Sequence, residues 1–133
     1  MTNTTTTTVI DAALELHAAA YLTGSARWFD ASASILHGAC AALGRHRLTA
    51  ERAMVDTRQA VAAMSPAIAA KAHDTAMLRA GYLLEAAADA AGDECLAEQA
   101  RALIMDEWLA SGRPAREWAT VQTVADLAAY LAA

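Results

Sequence analysis

Alanine content is the feature that most constrains this chain. Of its 133 residues, 38 are alanine, and alanine is the best helix former because it loses no side-chain entropy in a helix. The β-branched and aromatic residues that favour strands are scarce after the first nine positions. The sequence therefore predicts an all-α fold, a single compact bundle of five to six mostly antiparallel helices joined by short connections.

Capping residues and helix breakers set the predicted boundaries. Thr8 and Thr49 are expected to cap the first and third helices, and Ser65 followed by Pro66 is expected to begin the fourth. Four glycines are expected to end helices or mark turns. The predicted helices cover 9–23, 26–43, 50–64, 66–91, 94–111 and 124–131. Thr123 and Asp126 resemble a capping box at the start of the last one.

The chain is predicted to be one domain over 8–133, preceded by a disordered, threonine-rich tail over 1–7. No second domain or flexible linker is evident. Helix-ending glycines and prolines do not recur at a period near 34, so the turn at Gly92 and Asp93 predicts one helical hairpin and not a tetratricopeptide array.

Charge, apolar run length and cysteine usage favour a cytoplasmic protein. The net charge is −5, whereas a nucleic-acid binder needs a basic surface to neutralise phosphates. The longest stretch without Asp, Glu, Lys or Arg covers the 14 residues 31–44, which is shorter than the roughly 18 that a membrane helix needs. Cys40 and Cys95 are too few for a disulfide framework and are expected to stay reduced. No Lys or Arg precedes Arg27, and Asp11, Glu15 and His17 interrupt the first apolar stretch, so no signal peptide is predicted.

One set of residues is similar to a family motif. His37, His73, Asp74 and Asp126 resemble, in their order along the chain, the metal-binding residues of the HD-domain phosphohydrolases. The resemblance implies a small metal-dependent hydrolase with an all-α fold. However, adjacent residues of a helix point about 100° apart, which would turn His73 and Asp74 to different faces.

Two further sets lie on the second helix. Asp30, Ser34 and His37 have the residue types of acyl-transfer catalysis, but Ser34 lies between the other two, whereas a triad needs the histidine in the middle. His37 and Cys40 have the spacing of half a zinc site, and no second half is found. The sequence thus predicts no catalytic set, no cofactor and no metal site.

A basic turn, Arg45-His46-Arg47, is followed by Arg52 and Arg58. It could contact phosphate, but positive charge at the end of the second helix also interacts favourably with the helix dipole. A nucleic-acid-associated regulator using this region stays a third hypothesis.

Several large residues fall outside the predicted apolar stripes. If neighbouring helices do not cover them, they form an exposed patch of the kind that marks interfaces. The leading hypothesis is therefore a non-enzymatic interaction module, such as a regulator, adaptor or inhibitor, that docks a partner protein or a second copy through a helical face. The residues of this predicted surface are Leu78, Tyr82, Met105, Leu109 and Trp118.

Overall fold

The computed structural model describes the backbone of residues 2–132 and the side chains of residues 8–132. Within that range the chain forms seven helices and no strand, which confirms the all-α prediction. The helices are α1 (Thr2–Thr23), α2 (Ala26–Ala42), α3 (Arg47–Ala62), α4 (Pro66–Ala91), α5 (Glu94–Ala110), α6 (Ala115–Trp118) and α7 (Val124–Ala132).

The main core lies between α1, α2, α4 and α5. α1 packs against both α2 and α4, and α4 packs against α5. Leu16, Leu84 and Leu103 are completely buried at this core, and Trp28 adds the largest side chain from α2. Between these large residues the core is filled by alanines of α1, α4 and α5, whose small side chains let the helices approach closely.

Two smaller clusters extend the bundle on either side. Ala50 and Met54 of α3 cover a cluster that includes Ile10, Leu36 and Cys40 on α1 and α2. On α4 and α5, the cluster of Leu78, Tyr82, Ile104 and Trp108 is covered instead by Val121 and by Leu127 of α7. Each hairpin of long helices is thus closed by the segment that follows it in the chain.

The two halves of the molecule follow one plan, in register, at a distance of 68 residues. α2 and α5 are both 17 residues long and begin at Ala26 and Glu94. Gly24 and Gly92 precede them, and Gly44 and Gly112 follow them, all four with positive φ. α3 begins at Arg47 and α6 at Ala115, again 68 positions apart.

Burial follows the same register. Of the twelve buried residues described in α1 and α2, eleven are followed 68 positions later by another buried residue. Leu16 corresponds in this way to Leu84, and Cys40 to Trp108. The exception is His17, whose counterpart Glu85 is only partly buried. The single predicted hairpin is therefore one of two equivalent hairpins.

Some predicted boundaries need correction. α1 begins at Thr2, so Thr8 lies inside the helix and is not its cap. The side chains of residues 1–7 lie outside the described part, and the division into a disordered tail and a domain stays a prediction. α3 begins at Arg47 because His46, and not Thr49, caps it by accepting a hydrogen bond from the amide of Leu48. The short α6, which was not predicted, brings the helix count to seven.

The other predicted caps are present. Ser65 Oγ accepts from the Ile68 amide at the start of α4. At α7, Thr123 Oγ1 accepts from the Asp126 amide, and the Asp126 carboxylate accepts from the Gln122 amide. None of the helices described is both long and apolar enough to cross a membrane.

Candidate functional site

The part of the predicted interaction surface that lies on α4 is buried. Leu78 and Tyr82 are each only 2% exposed, because α5 and the C-terminal segment pack over the side of α4 that faces away from α1. The Tyr82 hydroxyl donates to the carbonyl oxygen of Val121. The prediction that these two residues are exposed is wrong: α4 has two covered faces, and a single apolar stripe accounts for only one.

The other three residues of that predicted surface differ in how exposed they are. Met105 and Leu109 are exposed on α5. Trp118 is half-buried against the cluster that contains Tyr82 and Trp108. Of the five predicted residues, only Met105 and Leu109 are exposed. They lie one turn apart on α5 and form a small patch.

The HD-like residues do not form a metal centre. His73 and Asp74 are both exposed at the surface of α4, and His73 Nδ1 lies 3.7 Å from Asp74 Oδ1. His37 lies 3.8 Å from Glu51 of α3, and the Asp126 carboxylate is used at the start of α7. Among the residues whose side chains are described, no three His, Cys, Asp or Glu come together in a group that would hold a metal ion.

The polar residues of α2 are likewise dispersed. Asp30 and Ser34 are exposed, and His37 is half-buried beside Glu51. Cys40 is buried in the cluster under α3. No nucleophile and base are joined by a hydrogen bond on this face within the described part of the chain, which is the geometry that acyl transfer needs.

The basic region divides into free and bound arginines. Arg45 and Arg52 are exposed. Arg47 Nε lies 3.3 Å from Glu51 Oε1, one turn along α3. Arg58, in contrast, is half-buried and points to the interior of the first half. There it contacts a polar group that is not among the site residues predicted from the sequence.

That group is His17, which is 1% exposed in the middle of α1. Its Nδ1 lies 2.9 Å from Oγ of the completely buried Ser32 on α2. Its Nε2 lies 2.9 Å from Nη1 of Arg58 on α3. One histidine therefore joins three helices through two hydrogen bonds.

The hydrogen bonds fix the tautomer of His17. The Ser32 hydroxyl donates its proton to the carbonyl oxygen of Phe29, 2.8 Å away, so it accepts from His17 Nδ1–H. Arginine only donates, so Nε2 must carry the lone pair that accepts from Arg58. Burial, together with the charge of Arg58, lowers the pKa of His17 below its ordinary value of 6.5, partly offset by the Phe29 carbonyl. His17 is therefore neutral at pH 7.

Aromatic rings connect this network to the surface. The Phe29 ring lies 4.5 Å from the His17 ring and 6.3 Å from the ring of Tyr21, centroid to centroid. The Arg58 guanidinium carbon lies 5.7 Å from the centroid of the same Phe29 ring. Tyr21 is 44% exposed, and Phe29 and Arg58 are half-buried. We call these three residues the Tyr21–Phe29–Arg58 patch.

The second half of the molecule shows that the fold does not require this network. The counterpart of Ser32 is Ala100 and that of Phe29 is Ala97, both completely buried. The counterpart of His17 is Glu85, whose carboxylate accepts from Arg101 Nε at 2.8 Å. The same helical hairpin is thus built from apolar packing and an ordinary ion pair where the first half has a buried histidine, a serine and an arginine.

A groove near this half lies apart from the patch. It runs between α1, α3 and α4, has a volume of about 510 Å³, and includes Thr57 and Leu83 in its lining. Across it, Arg79 Nη1 lies 3.5 Å from Glu15 Oε2, so its one arginine is paired with an acid, and Asp11 adds a second carboxylate to the lining. The charge of Arg58 has no such carboxylate partner among the described residues.

Comparison of the chain with protein-family models, curated proteins and solved structures gives no match. The available sequence signal was weak: His17 falls on the apolar face of α1, but nothing local indicates that Arg58, 41 positions away, would meet it.

Proposed function

We propose that this protein is a non-enzymatic interaction module that docks a partner protein on the Tyr21–Phe29–Arg58 patch. It would act as a regulator, adaptor or inhibitor in the cytoplasm, where thiols such as Cys40 stay reduced. The observation that carries the proposal is the buried His17–Ser32–Arg58 network in one half of a duplicated fold whose other half packs without it.

Energetics favour a function for that network. A buried polar group stabilises a fold little even when its hydrogen bonds are satisfied, and is costly when they are not. In the second half, Ala100 stands at the position of Ser32, and the position of His17 is taken by Glu85, which is only partly buried and pairs with Arg101. The buried polar network is therefore better explained by the surface residues that it holds in place than by a contribution to packing.

The residues held there have the composition of binding hot spots. Tyrosine and arginine are enriched among the residues that dominate interface energetics, because each combines a large contact area with directional hydrogen bonds. Val55, three positions before Arg58 on α3, is 40% exposed and extends the patch with apolar area. Five grooves of this molecule are lined by other residues, so a flat protein surface suits the patch better than a small molecule.

The test is a comparison of tagged baits in extract from the source organism, read by quantitative mass spectrometry. Tyr21→Ser removes a residue of the patch, and Met105→Ser is the matched control because the two side chains are 44% and 43% exposed. Truncation of a hot spot costs about 2 kcal/mol or more, which is more than tenfold in affinity. We expect a protein that wild type and the control capture and Tyr21→Ser does not.

Capture that Tyr21→Ser leaves unchanged would contradict the proposal. Capture that Met105→Ser abolishes equally would also contradict it, and would indicate that Met105 and Leu109 form the binding surface instead. Light scattering is the companion measurement. A wild-type dimer that Tyr21→Ser converts to a monomer would mean that the patch binds a second copy, and would overturn a separate partner.

A further inference from the structure

We infer that the partner presents the carboxylate of an aspartate or glutamate side chain to Arg58, with an apolar neighbour that packs on Phe29 and Tyr21. This inference rests on the proposed function and names the chemistry of the partner at the same patch. It starts from the charge of Arg58, which no carboxylate among the described side chains compensates.

Four other arginines described in the structure have a carboxylate partner. Arg27 pairs with Asp106 at 2.9 Å, Arg101 with Glu85 at 2.8 Å, Arg47 with Glu51, and Arg79 with Glu15. Arg58 contacts a neutral imidazole instead, and no ion pair joins it to an acid in the described part of the chain. A half-buried guanidinium without a counter-charge is a ready site for an anion.

The guanidinium is also held in place. His17 occupies one of its five N–H donors, and the face of the Phe29 ring lies beside it. An arginine fixed in this way loses less side-chain entropy on binding than a free surface arginine such as Arg45 or Arg52. The remaining donors match the two oxygens of a carboxylate, which is the geometry of bidentate recognition.

The aromatic residues define what lies next to that carboxylate. Tyr21 and Phe29 form a contiguous aromatic surface, with ring centroids 6.3 Å apart, beside the guanidinium. An acidic residue flanked by an apolar one would place its charge on Arg58 and its neighbour on the rings. Charge complementarity thus selects an acidic peptide segment over a basic or neutral one.

The experiment selects random nine-residue peptides, acetylated and amidated at their ends, against the full-length protein. A selected acidic peptide and its Glu→Gln or Asp→Asn version are then titrated with wild type, Arg58→Gln and Arg58→Lys. Gln removes the charge and keeps an N–H donor, and Lys keeps the charge but loses the planar fork. Circular dichroism and thermal melts of each variant establish that it is folded.

We expect acidic residues to be enriched, and the neutral peptide to bind wild type about tenfold or more weakly, which is about 1.4 kcal/mol or more. Arg58→Gln should bind the acidic and neutral peptides equally, and Arg58→Lys should lie between Arg58→Gln and wild type. The comparison of two peptides on wild-type protein needs no substitution, so it holds even if a variant folds poorly.

Selected peptides without acidic enrichment, or an acidic peptide that binds wild type and Arg58→Gln equally, would overturn the inference. If peptides bind without acidic preference but lose affinity with Tyr21→Ser, the carboxylate inference fails while the proposed function stands. Peptides that ignore both Tyr21→Ser and Arg58→Gln would count against both.

Discussion

His17 is one side chain through which the stability of this protein depends on pH. In the folded state its pKa lies below 6.5, chiefly because the ring is buried and also because Arg58 is adjacent. In the unfolded chain both causes are absent. Between 6.5 and the folded pKa, the unfolded chain therefore binds a proton that the folded protein does not.

The stabilising contribution of neutral His17 is complete above pH 6.5, falls as the pH drops below that value, and is fully lost once the pH passes the folded pKa. We expect His17→Gln, which keeps a donor and an acceptor but does not titrate, to flatten the dependence of unfolding free energy on pH. Urea denaturation at several values between pH 7.5 and pH 5 measures this slope.

His73→Gln is the matched control, because His73 is exposed on α4 and touches neither Ser32 nor Arg58. A slope that changes equally in both variants, or in neither, would mean that His17 does not cause the acid sensitivity.

Gly81 and Gly38 give opposite expectations for the same substitution. A Cβ at Gly81 would lie 2.8 Å from Cγ1 of Ile104, so Gly81→Ala should overpack the α4–α5 contact and destabilise the protein, by about 1–3 kcal/mol. At Gly38 nothing lies within 4 Å, so Gly38→Ala should stabilise α2, by about 0.5–1 kcal/mol. Thermal melts of the two variants give the signs directly. Equal shifts in one direction would contradict the close approach at Gly81.

At the level of helices, Ser65 and Thr49 separate a cap that forms from one that does not. Ser65→Ala should cost about 1 kcal/mol, because the Ile68 amide loses its acceptor at the start of α4. Thr49→Ala should cost little, because Thr49 lies inside α3 and His46 accepts from the Leu48 amide. Chemical denaturation of both variants tests the difference, and a larger loss for Thr49→Ala would reverse the assignment of the cap.

The helices themselves were largely predictable from local signals. Ser65-Pro66 and the glycine at 92 act within a turn of where they stand, so the predicted bounds of α4 agree with the structure. The start of α3 was missed because a histidine ring, which is not a usual cap, accepts through Nδ1. α6 was missed because four residues carry no periodic pattern.

The candidate site was not predictable in the same way. Whether Tyr82 is exposed depends on Val121, 39 positions further along the chain, and on Leu127 of α7, which packs against the same cluster. The meeting of His17 with Arg58 likewise depends on how α3 packs across α1 and α2. Helical periodicity gives the face of a residue on its own helix and not the partner of that face.

The whole molecule should unfold as one unit, because α1 and α4 share the main core although they belong to different halves. Leu16→Ala, in the completely buried part of that core, should cost about 2–5 kcal/mol. Hydrogen exchange read on peptides of α2 and α5 should report the same loss in both helices.

Leu48→Ala is the control for that experiment, since Leu48 is 68% exposed and its removal should leave exchange in both helices unchanged. If Leu16→Ala weakened protection in α2 and left α5 as in wild type, the two halves would be independent folding units.

The register between the halves has a consequence for how this protein can change. Gly81 and Trp108 give the second hairpin its tight contacts, while the positions corresponding to Trp108 and Ile104 in the first hairpin are the smaller Cys40 and the similar Leu36. With the apolar contacts of the second hairpin holding the bundle together, the first hairpin accommodates buried polar groups, namely Ser32, where the second has Ala100, and His17. Surface residues of the first hairpin can therefore change for binding while the packing of the second hairpin maintains the fold.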